Sequence, residues 1–156
     1  MRIQKSSRHR KITGDFGEIL VLYLLSKTGF ECARIDHTGI DLIARRPGTK
    51  EVMGISVKSR SRSEGTEGTQ VNIRKDDIEK AQKACSAFGC KPYFAMVVGE
   101  KGLIRVFIVS VKQLLKLRPG GSKVSAWSMS DKELQRYRDT RNVKWIELGL
   151  HEGRWW

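Results

Sequence analysis

The chain has 156 residues, 30 Lys and Arg against 17 Asp and Glu, and a net charge of +13. That length suits one domain with a substantial core, and the charge implies an anionic partner, most often nucleic acid, over a generally cationic soluble or ribosome-associated protein. Three cysteines, Cys32, Cys85 and Cys90, without CxxC spacing exclude a disulfide framework or a zinc site built by cysteines alone. No secretory pattern opens the sequence, and the apolar run Ile19 to Leu25 is too short to span a bilayer. The expected setting is intracellular and reducing, cytoplasmic or nucleoid-associated, with no membrane partner.

In chain order, residues 1 to 12 are basic and lack a hydrophobic period, and read as a flexible arm carrying Arg8, Arg10 and Lys11. A helix is predicted from about Asp15 to Thr28, burying Phe16, Ile19, Leu20, Tyr23 and Leu24 and ending at Gly29. Within it, Asp15 and Glu18 have the spacing of a capping box. Strands are predicted over 30 to 36, 40 to 46 and 51 to 59, followed by a Ser/Arg/Gly-rich loop over 60 to 69 suited to a phosphate backbone. Residues 70 to 73 alternate like a strand that extends the sheet. A second helix, capped by Asp76 or Asp77, runs to about Ala87 with Ile78, Ala81, Ala84, Cys85 and Phe88 buried. Cys85 and Cys90 read as small hydrophobes around its end. Lys91 to Val98 and Leu103 to Ser110 are apolar enough to be central strands, and Val111 to Leu117 reads as a short helix.

After the break at Pro119 to Ser122, a strand near Val124 to Met129, a helix from Ser130 and a strand over Val143 to Leu148 are predicted. Ser130 and Glu133 fit a second capping box. Trp127 and Trp145 read as packing residues, and Trp155 and Trp156 as a disordered end. The domain reading is therefore a basic arm over 1–12, an α/β core over 13–118, and a C-terminal extension over 119–156 packed on or near the core.

Pro47-Gly48-Thr49-Lys50 makes a four-residue loop between the second and third strands. A loop of that length centres the hairpin between Gly48 and Thr49 and places Asp41 opposite Ser56. Strand alternation then puts Asp41, Ser56 and Lys58 on one face, and Ile40, Leu42, Ile55 and Val57 on an apolar face. Taken alone, an acid and a lysine so placed make an ordinary cross-strand ion pair, worth under about 1 kcal/mol when exposed.

Together, Gly17-Glu18 in the first helix, Gly39-Ile40-Asp41 and Ser56-Val57-Lys58 resemble the PD-(D/E)xK nuclease superfamily over roughly residues 8 to 110. The acid or glutamine that family carries two residues before its lysine is Ser56 here. The resemblance implies a restriction-endonuclease-like mixed central sheet flanked by helices, and a Mg²⁺- or Mn²⁺-dependent endonuclease acting on DNA. Asp41, the Val57 carbonyl and Glu18 would hold the metal, and Lys58 would serve the phosphate or the attacking water. In a subgroup with Ser-Val-Lys the acid moves to the next helix, where Glu79, or secondarily Asp77, is the candidate. Arg8, Arg10, Lys11, Arg45, Arg46, Arg60, Arg62, Arg74 and Lys75 are the expected nucleic-acid contacts, DNA foremost, and a homodimer is implied by the resemblance alone. The rival reading is a catalytically silent DNA- or RNA-binding module on the same fold.

Overall fold

A computed structural model describes residues 4–66, 68–121, 123–151 and 153. Trp155 and Trp156 lie outside them. Helix α1 (His9–Lys27) is followed by strands β1 (Glu31–His37), β2 (Ile40–Arg45), β3 (Val52–Ser61) and β4 (Val71–Arg74). Helix α2 (Lys75–Phe88), strands β5 (Lys91–Glu100) and β6 (Leu103–Ser110), helix α3 (Val111–Leu117), strand β7 (Val124–Trp127), helix α4 (Asp131–Asp139) and strand β8 (Lys144–Gly149) complete the chain. Six strands form one sheet in the order β1-β2-β3-β5-β6-β8, in which only β3 and β5 are parallel. The crossover between them carries α2, as a parallel connection requires.

Apolar side chains bury both faces of this sheet. On one side Val21 and Leu25 of α1 pack with Leu42, Ala44, Met53, Ile55, Ala95, Val97 and Val106. On the other, α2, α3, α4 and a two-stranded β4–β7 sheet cover Phe94, Met96, Val98, Phe107 and Val109. The strand at 70 to 73 therefore does not extend the central sheet. It pairs antiparallel with β7 instead, and its Val71 and Ile73 bury in the same core as the stacked Trp127 and Tyr137 rings. The C-terminal segment is integral: β8 edges the main sheet, and Trp127, Leu134, Tyr137 and Val143 belong to the core.

Two expectations about α1 change. The helix begins at His9, so residues 9–12, read as part of the basic arm, form its first turn. Asp15 consequently lies inside the helix, paired with Lys11 at 3.0 Å, and no capping box forms there. The buried face is also rotated: Gly17, Val21 and Leu25 are buried, whereas Phe16, Ile19 and Tyr23 are exposed. Gly17 causes the rotation, since a Cβ there would lie 1.7 Å from Ser59 Oγ. Its missing side chain lets α1 approach β3 on that side. Likewise Phe88, expected in the buried stripe of α2, is half-exposed and meets the His37 ring edge-on at 5.0 Å. At α4, Ser130 is the N-cap residue, but its side chain makes no capping bond.

Candidate active site

The β2–β3 hairpin has the register that a loop over residues 47–50 predicts: Arg45 pairs with Val52, Ala44 with Met53, Ile43 with Gly54 and Leu42 with Ile55. The Arg46 N–H donates to the Glu51 carbonyl to close the loop. Pairing stops at Leu42–Ile55, one step short of Asp41 and Ser56. A bulge in β1 between Arg34 and His37 shifts its pairing with the start of β2. Ile40 buries in the α2-side core, whereas Leu42, Ile55 and Val57 keep to the α1 side. The expected common apolar face thus breaks at Ile40.

Where the two strands part, the Asp41 carboxylate takes the place of a ladder acceptor. Its Oδ2 accepts the Val57 N–H at 2.7 Å, so the carboxylate lies in the fork between strands rather than squarely on the Ser56 face. Burial pushes its pKa above the ordinary carboxylate value of 3.8, the Val57 N–H opposes that, Glu18 adds to it, and Lys58 and Arg34 pull it back. Charges from α1, β1 and β3 therefore all reach this one group.

Glu18, on the α1 turn next to Gly17, is held by Arg34 of β1, whose Nη2 and Nε donate to Oε2 at 2.6 and 3.1 Å. Lys58 extends from β3 toward α2, its Nζ 3.4 Å from Asp77 Oδ2 and 5.9 Å from the centre of the Phe94 ring. Asp77 also caps α2: it accepts the Arg74 N–H at 3.3 Å and contacts the Arg74 guanidinium. Burial works against its charge, yet Arg74 and Lys58 together hold its carboxyl below the usual range. Ser56 is buried on β3.

Of the two acids considered on α2, Asp77 is the one that reaches Lys58. Glu79 is exposed and sits 3.9 Å from Lys75. Its position two residues further along α2 turns it away, because successive helical side chains diverge by about 100°. Val57 contributes its peptide at Asp41, and its side chain packs in the α1-side core.

The basic residues fall into separate groups. Arg8, Arg10 and Lys11 begin α1, and Arg60 continues β3 two residues beyond Lys58. Arg74 and Lys75 flank the start of α2 and pair with Asp76, Asp77 and Glu79. Arg45 and Arg46 lie at the other end of β2, about 13 Å from Asp41 along the strand, and border a shallow cleft with Gly29 and Pro47. Arg62 holds the fold together locally. Its Nη2 donates to the carbonyls of Thr69 and Gln70 at 3.2 and 2.9 Å, fastening the two ends of the loop over 60–69. Nothing in the sequence singles out Arg34, because its role depends on β1 lying beside α1, which no local pattern announces.

Neither the family models nor the curated proteins contain a match to this chain. Among solved structures, it is similar to the Holliday junction resolvase Hjc of the archaeal hyperthermophile Archaeoglobus fulgidus, at 17% identity and a TM-score of 0.57 over 79% of this chain and 88% of that one. It is also similar to a bacterial homing endonuclease, at 18% identity and a TM-score of 0.50 over 85% and 84% of the two chains. The chain therefore shares the mixed α/β fold of these two structures, a central, mostly antiparallel sheet flanked by helices.

Proposed function

We propose that the protein is a Mg²⁺- or Mn²⁺-dependent endonuclease that hydrolyses phosphodiester bonds in duplex or branched DNA. The observation that carries this reading is the Asp41 carboxylate, held in the strand fork close enough to Glu18 and Lys58 to feel both charges. Mg²⁺ keeps several waters and takes one or two carboxylates, a donor set that Asp41 and Glu18 supply. Among the described residues no group of three or more His, Cys, Asp or Glu converges, so the fit is to a water-rich site. When bound, the ion would neutralise charge on the phosphate and lower the pKa of a coordinated water.

The Val57 N–H fixes the Asp41 carboxylate through Oδ2, and the other oxygen would serve the metal or its water. Lys58 brings a cation to the scissile phosphate, where fixed charge opposite developing negative charge lowers the barrier. Asp77 anchors that ammonium at the site, and with Ser56 neutral it stands in for the acid the strand lacks. Arg60 and the basic residues at the start of α1 would contact the flanking phosphate backbone. A homodimer would present two such sites to two strands.

A silent DNA- or RNA-binding module is the second reading. Glu18 and Asp77 are each neutralised by a cation and Ser56 is no anion, which favours it. Incubating plasmid, branched DNA and RNA with Mg²⁺ or Mn²⁺ separates the two. Cutting by the wild type that is lost in Asp41→Asn and Lys58→Ala, with binding retained, supports the endonuclease. Binding without cutting by the wild type assigns the module. Ser56→Glu and Asp77→Asn give opposite patterns: if Asp77 replaces the missing acid, the first leaves cutting little changed and the second abolishes it.

A further inference from the structure

Cys85 and Cys90 meet at the far end of α2 from Asp77. The helix ends on Gly89 in the left-handed conformation, and the Cys85 carbonyl accepts the N–H of both Gly89 and Cys90, the latter at 2.9 Å. The six-residue segment is thereby folded back on itself. Both side chains then point at Gly54 on β3. A Cβ at Gly54 would lie 2.5 Å from Cys85 Sγ and 2.8 Å from Cys90 Sγ, so the two sulfurs are at most about 5.3 Å apart. Burial, and after it the neighbouring Cys90 thiol, raises the pKa of Cys85.

All three cysteines are free, and of this pair Cys85 is buried while Cys90 is partly exposed. We propose that Cys85 and Cys90 are a redox modification site, closing a reversible intrachain disulfide when hydrogen peroxide reaches Cys90. In the first step the Cys90 sulfur attacks peroxide, giving a sulfenic acid and releasing water. The Cys85 thiol then displaces hydroxide from that sulfur and the departing hydroxide takes its proton, so two thiols and one peroxide yield one disulfide and two waters. A dithiol reductant reverses the reaction by exchange through a mixed disulfide. Glycine at 54 leaves the space in which the sulfurs can close to the S–S distance of about 2 Å. In the reduced protein the Cys85 thiol lies 3.8 Å from the Gly54 carbonyl. Closing the bond draws that sulfur toward Cys90, at the contact between α2 and the strand that carries Ser56 and Lys58.

The test is peroxide titration of the folded full-length chain, then alkylation under denaturing conditions and peptide mass mapping. It needs no nucleic acid or divalent metal, so its result is independent of the nuclease reading. The expected result is a fall from three free thiols to one, a chain lighter by two hydrogen atoms, a linked 85–90 peptide, and recovery with dithiothreitol. Cys32→Ser should still lose two thiols, and Cys90→Ser should leave Cys85 unmodified. Three outcomes would overturn the proposal: oxidation that stops at sulfenic or sulfinic acid on Cys90, covalent dimers in place of the internal link, or no change in Cys85.

Discussion

The two acids whose ionisation Lys58 favours respond to pH in opposite senses. Asp41 has a raised pKa, chiefly from burial, so the folded protein binds that proton more tightly than the unfolded chain does. Its charge therefore costs stability, from the ordinary carboxylate value upward. Asp41→Asn keeps an oxygen for the Val57 N–H and removes the charge. Its melting temperature should exceed the wild type's at pH 7, and the gap should close as pH falls below about 4. A melting temperature below the wild type's at pH 7 would contradict this account. Asp77 behaves the other way. Its lowered pKa means stability that is present above the ordinary carboxylate value and lost as pH falls through the folded value. Asp77→Asn should therefore cost about 1 kcal/mol at pH 7, and the cost should vanish in urea unfolding at acid pH.

At the scale of elements, the seating of α1 on β3 depends on Gly17. Introducing alanine puts a Cβ 1.7 Å from Ser59 Oγ and 2.9 Å from Ser59 Cβ, so the helix or strand must shift. Gly17→Ala should lose about 1–3 kcal/mol, the usual range for overpacking, and Ser59→Gly in the same chain should restore part of it. Denaturant melts of the single and double variants check this, and an unaltered single variant would show that α1 does not press on Ser59. The exposed row of Phe16, Ile19 and Tyr23 carries no such constraint. Ile19→Lys should change stability by no more than about 0.5 kcal/mol, whereas a buried face through Ile19 would make that substitution severe.

Across the whole molecule, the net charge of +13 means that nucleic-acid binding, as proposed, should weaken with salt. The arginines do not share that effect equally. Arg60 is exposed, and its guanidinium donates to its neighbour's carbonyl, that of Ser59, at 2.8 Å. Arg62 is spent on Thr69 and Gln70. Arg60→Ala should reduce the slope of log affinity against log salt by about 0.9 if it meets a duplex phosphate. Arg62→Ala should leave the slope nearly unchanged and instead expose the loop over 60–69 to limited proteolysis. Equal slope changes for both would place Arg62 at the interface as well.

Whereas Glu18 became a candidate only through the family resemblance, local signals in the sequence were enough for the hairpin register, for the apolar central strands β5 and β6, for α3, and for placing Asp41, Ser56 and Lys58 near one another. Each depends on residues close in the chain: a Pro-Gly loop of fixed length, a run of Val and Ile, a period of two or 3.6. Tertiary structure decided the rest. Which face of α1 is buried follows from a glycine meeting a serine 42 positions away, a contact that hydrophobic periodicity cannot register. That Asp77 rather than Glu79 reaches Lys58 depends on how α2 lies on β3, and a step of two helical positions is enough to turn a carboxylate away. The end of β2–β3 pairing one step short of Asp41, and the register shift in β1 beside it, lie in strands whose sequences carry no mark of either. Pairing between neighbouring segments is written locally, whereas the direction of a charged side chain at the site depends on elements that meet only when the chain is folded.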